Sequence, residues 1–220
     1  MIVAKFVAVA VVGYLLGSIP FGIIIGRRMG KVDVRQYGSG KMGTTNVLRT
    51  AGSKAAVYVF VLDLLKGVAA VVIAGLIVGR DYLVVGGVHC GVLVAQVIAA
   101  LAAMAGHNRS IFLKFRGGVL GVATFFGGMA ALFPPAALFG GEIFIIGAGL
   151  TKFVSLASIS AVVSTYAVLI PLTILNRFPI EYLIYALIGS VVIIIVHRDN
   201  ISRLLAGKER RLGERAKLRS

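Results

Sequence analysis

Residues Gly38 to Asn46, GSGKMGTTN, gather glycines, hydroxyls and a cation between two long apolar stretches. Glycine-rich turns let successive backbone N–H groups converge, and such nests bind anions. The segment is not the nucleotide-binding loop, which requires G-x-x-x-x-G-K-[ST]. Position 35 is Arg35 rather than glycine, and Met42 follows Lys41. What remains is a turn able to cradle a phosphate through Gly38, Gly40 and Gly43, with Ser39 as a further donor. Arg49 follows Asn46 by three residues, so both share one face if that part is helical. The plainer alternative is a solvated loop between membrane helices.

Three other polar segments invite the same question. The stretch GHNRSIFLKFRGGVLGVAT (106–124) combines His107, the cations Arg109, Lys114 and Arg116, and the pair Gly117-Gly118 opening a helix, whose N-terminus attracts anions. Its alternative is a basic interfacial loop. Ser155 and Ser158 lie one turn apart at the start of another helix, which an ordinary cap would also explain. His197 and Asn200 are three apart at the end of the last apolar run and could face one ligand. The alternative there is an interfacial cap followed by an amphipathic basic tail touching lipid.

Several chemistries are excluded by residue type. No Cys/His cluster has metal spacing, the single Cys90 gives no disulfide framework, and no G-x-S-x-G elbow is present. The H-x-x-x-x-D pair of another acyltransferase class is missing, because Phe112 stands five residues after His107 and Ser202 five after His197. Acids near these loops are few: Asp33, Asp199, Glu209 and Glu214. Cations and amides without a metal, thiol or serine triad suit transfer from a substrate that is already activated and carries phosphate, such as an acyl phosphate. The protein then has to hold two phosphates, align a hydroxyl and stabilise developing charge. The proton could pass to His197, to His107 or to a phosphate oxygen of the donor.

The elements that position these loops are membrane helices. The chain has 220 residues, 59% of them hydrophobic, more apolar surface than a soluble domain of that length can hide. Seven apolar segments are expected, at about 2–26, 55–79, 82–105, 119–133, 134–150, 153–175 and 180–196. The fourth and fifth meet at Phe133-Pro134-Pro135 and are either two short spans or one re-entrant pair. The fold class is therefore all-α and polytopic, with a membrane domain over 1–197 and a basic tail over 198–220. The first run is long enough to span and is followed by basic residues, so a cleavable signal peptide is not expected.

With seven crossings, nineteen of the 23 Lys and Arg fall on the side holding the polar loops and three on the other. That bias predicts a cytoplasmic C-terminus, an N-terminus outside and a multi-pass chain in the cell membrane. It also accounts for most of the net charge of +15, so nucleic acid is not expected as a partner. Within the spans, Asp63 and Lys66 are expected to form a structural ion pair, with a substrate pathway as the second reading. His89 is expected to hydrogen-bond inside the bundle, and Gly13 and Gly17 to mark close helix packing.

These residues resemble the bacterial membrane acyl-phosphate:glycerol-3-phosphate acyltransferases, the PlsY type. The resemblance is carried by YLLGSIPFG (14–22), GSGKMGTTNVLR (38–49), DLLKG (63–67), GHNRSIFLKFRGG (106–118), GVAT (121–124), VSLASI (154–159) and HRDNISRLLAGKE (197–209). It implies seven helices with a cytoplasmic site and acyl transfer from acyl phosphate to the 1-hydroxyl of glycerol 3-phosphate. The implied partners are those two substrates and the bilayer, with no thioester donor, metal or cofactor, and the chain is taken as a monomer. Carried over by position, Ser39 and its flanking amides would hold one phosphate and Arg49 another. His107 would line the site, and His197 with Asn200 would meet the glycerol hydroxyl. Gly38, Gly40, Lys41, Gly43, Asn46, Lys114, Arg116, Gly117, Gly118, Ser155 and Ser158 would complete the substrate contacts.

Two departures matter. Where the family reads G-G-K-G-V-A-T, this chain has Gly117-Gly118-Val119-Leu120-Gly121-Val122-Ala123-Thr124, so the family lysine is missing and one residue is added. Lys41 stands where the family usually has Asn, and either Lys41 or Arg116 is expected to supply the lost charge. The runner-up reading is a weakened paralogue that binds phosphorylated lipid precursors or regulates an active partner. A transporter would need polarity through the whole bundle rather than at one face.

Overall fold

A computed structural model describes residues 2–115, 120–216 and 218. It begins with α1 (Ile2–Ser18) and α2 (Phe21–Gly30), which break at Pro20, a residue without an N–H to donate. A 3-10 turn at Val34–Gln36 leads through the Gly38 loop into α3 (Thr44–Val78), a long helix interrupted at Gly52, where φ is 87° and ψ 178°. Then come β1 (Leu83–Val85), β2 (Val88–Cys90), α4 (Val92–Asn108), α5 (Val122–Leu132), α6 (Pro134–Thr151), α7 (Val154–Ile174), α8 (Ile180–Val196) and α9 (Arg198–Leu205).

The chain is a polytopic helical membrane protein. Five helical stretches are long and apolar enough to cross a bilayer: Ile2–Gly30, α3, Val92–Leu113, α6 and α7. A sixth is reached if α8 and α9, bent by 61° at His197, count together. Each of the seven expected segments contains an apolar helix, but α5 has only 11 residues. At 1.5 Å per residue it is about 16 Å long, roughly half of a 30 Å hydrocarbon core. Pro134 at the first turn of α6 starts a new helix directly after α5 ends.

The third expected segment needs correction. Its first part is an antiparallel hairpin, pairing Leu83 with Cys90, Val84 with His89 and Val85 with Val88. Gly86 and Gly87 both have positive φ, 57° and 82°, as a two-residue turn requires, and β-branched valines flank them. His89 is consequently exposed on the hairpin, with its ring 5.0 Å from that of Tyr82, and its side chain makes no hydrogen bond among the described residues.

Close approach of backbones holds the helices together. Added side chains at Gly13 and Gly17 would strike the Ala99 and Ala103 backbone of α4, and one at Gly67 the Thr124 carbonyl of α5. One core joins α4, α5, α7 and α8 around Phe125, Met104, Met129 and Tyr185, whose hydroxyl donates to the Phe125 carbonyl at 2.9 Å. A second joins α1, α3 and α4, and a third, of Ile23, Val34, Met42, Val47, Ala55 and Val59, lies beneath the Gly38 loop. Outward faces carry Leu76, Leu150 and Ile174, all exposed, as lipid contact favours. The Asp63–Lys66 pair is present at 2.8 Å and fully enclosed. Lys66 Nζ also donates to the Ile19 carbonyl at 3.2 Å, beside the α1–α2 break, so the pair ties α3 to that break.

Candidate functional site

The Gly38 loop is built around one side chain. Buried Asn46, in the first turn of α3, directs its Nδ2 to the carbonyls of Val34 (2.8 Å), Lys41 (2.8 Å) and Tyr37 (3.2 Å). Its Oδ1 accepts from the Ser39 N–H at 3.2 Å. Gly38 sits at φ 57°, and a Cβ there would lie 2.5 Å from Asn46 Oδ1, so only glycine fits. The Gly40 N–H goes to the Tyr37 carbonyl at 2.9 Å and the Lys41 N–H to Ser39 Oγ at 3.3 Å. Three of the amides expected to form an anion nest, those of Ser39, Gly40 and Lys41, are thus engaged in holding the turn. The donors facing outward are instead those of Thr44 and Thr45, which begin α3 after Gly43 and have no intrahelical acceptor.

Those two residues line a cavity of about 410 Å³ where the Gly38 loop, the start of α5, the start of α7 and the C-terminal segment meet. Of the expected site residues, Gly38, Ser39, Lys41, Gly43, Asn46, Arg49, His107, Ser155, Ser158 and Asn200 are brought together on its walls. Gly40, at φ 69°, shapes the turn without lining the cavity. Lys114 does not line the cavity: it is exposed in a left-handed conformation, φ 51°, after the 3-10 turn at Ile111–Leu113. Arg116, Gly117 and Gly118 lie outside the described residues.

His197 is also displaced from expectation. Counting three residues to Asn200 assumes one continuous helix, but the chain bends by 61° at this point. Asn200 reaches the cavity, whereas His197 is fully buried behind it, its Nδ1 2.8 Å from the Ile193 carbonyl and its Nε2 without a partner among the described residues.

Apart from His107, the other residues on the walls were not singled out as site residues. Asp63 and His107 face the cavity together, with 3.6 Å between Asp63 Oδ1 and His107 Nδ1. Phe60 from α3, Val122 from α5 and Phe144 from α6 add apolar side chains to the lining. The C-terminal segment supplies Arg203, Glu209 and Arg210. Glu209 is central to that contribution: it accepts from Ser155 Oγ (3.0 Å), Asn200 Nδ2 (2.8 Å) and Arg203 Nε (2.7 Å). Arg49 Nη2 donates to the carbonyls of Arg210 and Arg211, both at 3.2 Å. Glu209 closes the motif that begins at His197, which is the one signal that could have drawn attention to it.

The electrostatics follow from this crowding. Lys41, Arg49, Arg203 and Arg210 line the cavity against Asp63, Asp199 and Glu209, leaving an excess of positive charge. Burial pulls the Lys41 amine below its ordinary range, and the carboxylates of Asp199 and Glu209 partly oppose that. At the loop's outer edge, the side-chain hydrogen bond from Arg35 holds the Asp33 carboxyl well below the usual carboxylate range. Among the described residues, no three His, Cys, Asp or Glu side chains gather as a metal site would need. The cavity can hold phosphate groups against cations and helix amides while an apolar chain lies along Phe60, Val122 and Phe144.

Comparison with known proteins gives a consistent picture. Residues 7–207 match the family described as glycerol-3-phosphate acyltransferase. The chain is 59% identical to glycerol-3-phosphate acyltransferase 3 of Dehalococcoides mccartyi strain 195, over 99% of this chain and all of that protein. It is 43% identical to a glycerol-3-phosphate acyltransferase of Synechococcus sp. strain JA-2-3B'a(2-13), over 92% of each chain. In three dimensions it is similar to the crystal structure of PlsY (YgiH), an integral membrane glycerol 3-phosphate acyltransferase, in its glycerol 3-phosphate form. The TM-score is 0.80 and the identity 38%, over 94% of this chain and 96% of that one.

Proposed function

The chain belongs to the glycerol-3-phosphate acyltransferase family, and from that premise we propose that it moves an acyl group from acyl phosphate to the 1-hydroxyl of glycerol 3-phosphate. The products are 1-acyl-glycerol 3-phosphate and inorganic phosphate. The observation that carries this reading is one cavity lined both by cations, Lys41, Arg49, Arg203 and Arg210, and by the apolar side chains of Phe60, Val122 and Phe144. A charged headgroup and a hydrocarbon chain need that combination on a single surface.

In the reaction, the glycerol oxygen attacks the acyl carbon, a C–O ester bond forms, and the C–O bond to the donor phosphate breaks. The electron pair leaves with that phosphate, and the hydroxyl proton ends on one of its oxygens. Ser39, Arg49 and the Thr44 and Thr45 amides hold phosphate; Lys41 supplies the charge of the missing family lysine. Asn200 and Ser155 are steadied by Glu209 on the opposite wall. His107, beside Asp63, orders the inner wall, while proton transfer to phosphate requires no reach from buried His197.

The cavity faces the cytoplasm in this reading; with seven crossings, nineteen of the 23 Lys and Arg would lie on that side. Purified protein given acyl phosphate and labelled glycerol 3-phosphate is expected to release phosphate and label lysophosphatidate in equal amounts. Binding of glycerol 3-phosphate without turnover would replace the enzyme with a weakened paralogue. Turnover by both Lys41→Ala and Arg116→Ala proteins at the wild-type rate would reject a substitute for the missing lysine.

A further inference from the structure

The family match ends at residue 207, yet the chain beyond it turns back across the cavity. Five attachments fix this return. Glu209 is held by Ser155, Asn200 and Arg203, at 3.0, 2.8 and 2.7 Å. The Leu212 N–H donates to the Lys152 carbonyl at 2.7 Å, and the Ala216 N–H to the Arg49 carbonyl at 3.1 Å. The Arg211 guanidinium lies 5.8 Å from the centre of the Phe153 ring. Leu218 forms an isolated antiparallel bridge with Tyr37.

Residue 210 sits inside this set of anchors, and its side chain enters the cavity wall. Arg210 Nη1 is 3.6 Å from the point where a Cβ would stand on Gly38, so the guanidinium lies over the Gly38 turn. Its own carbonyl accepts from Arg49 Nη2, which brings two arginines to the same edge. Among the described residues no carboxylate lies within ion-pair distance of either one, because Glu209 is engaged with Arg203. Two like charges beside the first turn of α3 leave a place that an anion with several oxygens fills.

We infer that Arg210 is a phosphate-binding residue of this site, carried there by the C-terminal segment. The inference rests on the acyl-transfer reading and deepens it. The ligand is a phosphoryl group, and either glycerol 3-phosphate or the acyl phosphate can present one. The returning chain does not simply plug the site. Its carbonyls occupy Arg49 Nη2 only, and Arg49 still lines the cavity. Arg49 is therefore oriented by the segment and remains able to grip an anion.

The test compares full-length wild-type, Arg210→Ala and Arg210→Lys proteins, varying each substrate while the other saturates. Arg210→Ala is expected to raise KM for one phosphorylated substrate about ten-fold, the scale of a lost charge-assisted hydrogen bond. Arg210→Lys is expected to recover part of that loss, and the substrate whose KM moves identifies the phosphate that Arg210 holds. Unchanged KM values for both substrates in Arg210→Ala would overturn the inference. So would lowered ones, which would make the segment a plug. If the wild type binds glycerol 3-phosphate without turnover, acyl transfer fails, and calorimetric titration with glycerol 3-phosphate decides Arg210 separately. Titrated likewise with acyl phosphate, Arg210→Ala is expected to bind one of the two ligands about ten-fold more weakly, and equal binding of both sinks the inference.

Discussion

The Gly38 loop and the Gly86-Gly87 hairpin use the same backbone device to different ends. Each contains two glycines with positive φ, and each joins apolar segments. At Gly86 and Gly87, an added Cβ would meet nothing within 4 Å. At Gly38, it would meet Asn46 Oδ1 at 2.5 Å and the Ala216 side chain at 3.0 Å. Glycine in the hairpin answers only to the local turn, whereas in the loop it also answers to long-range packing. A glycine-rich stretch becomes a candidate site through what closes over it.

The largest expected effect follows from removing that closure. Asn46→Ala would leave the carbonyls of Val34, Tyr37 and Lys41 without their donor and free the Ser39 amide. Losing buried partners costs about 1–3 kcal/mol each, and relaxation of the loop recovers some of it, so a destabilisation of roughly 2–4 kcal/mol is expected. Turnover should fall about a hundred-fold or more, since Ser39 and Lys41 lose their positions. Thermal unfolding in detergent and phosphate release measure the two effects. A stable, active Asn46→Ala protein would dissolve the contrast with the hairpin.

The paired substitutions Gly38→Ala and Gly87→Ala sharpen it. Both force alanine into a left-handed conformation, at about 1–2 kcal/mol. Only Gly38→Ala adds a collision, so it should lower turnover at least ten-fold, while Gly87→Ala leaves turnover within about two-fold of wild type. Equal losses of activity in the two proteins would mean that the collision is relieved by movement of Asn46.

How much of this was legible depended on the range of the interactions. The apolar helices and the polar connections follow from local composition, and Ser155, Ser158 and Arg49 could be picked out by spacing alone. The hairpin could not, because Val84, Val85 and Val88 are as apolar as any helix and hydropathy does not distinguish a short strand. His197 was misplaced because a three-residue count carries a helix through a bend. The role of Asn46 was hidden for a different reason: an amide that clasps carbonyls and one that binds ligand have the same residue type. Glu209 and Arg210 reach the cavity only because the chain reverses after α9, and no local pattern encodes that reversal.

Lys41 and Lys5 extend the comparison to charge. Lys5 pairs with Asp81 at 2.7 Å on the exposed surface, near the hairpin. Lys41, half-buried at the cavity, has its amine pulled below the ordinary lysine range by desolvation. Lys41→Ala should reduce kcat/KM by about 10–100-fold and Lys5→Ala by less than two-fold. The pH dependence has a definite sign. A lowered amine pKa means that the charge is lost at lower pH than for a free lysine, so KM for phosphate substrate should begin to rise below pH 10.5, the ordinary lysine value. Lys41→Arg should remove that rise, because guanidinium stays charged throughout.

The smallest effect concerns the outer edge of the loop. Asp33 accepts from the side chains of Arg27 and Arg35 and caps the 3-10 turn through the Arg35 N–H, at 3.1 Å. Its carboxyl titrates below the ordinary range, chiefly through the Arg35 hydrogen bond. The contribution to stability is therefore present above the ordinary carboxylate pKa of 3.8 and lost as the pH falls below it, toward the lower folded value. Pairs with exposed arginines contribute about 0–1 kcal/mol, and an Asp cap lost to Ala about 1 kcal/mol. Asp33→Ala should lower stability by roughly 1 kcal/mol at neutral pH, and Asp33→Asn, which keeps the cap acceptor, by less. Neither should alter turnover by more than about two-fold, because the loop is held from within by Asn46. A larger loss from Asp33→Asn would mean that the surface arginines, rather than the buried amide, set the shape of the loop.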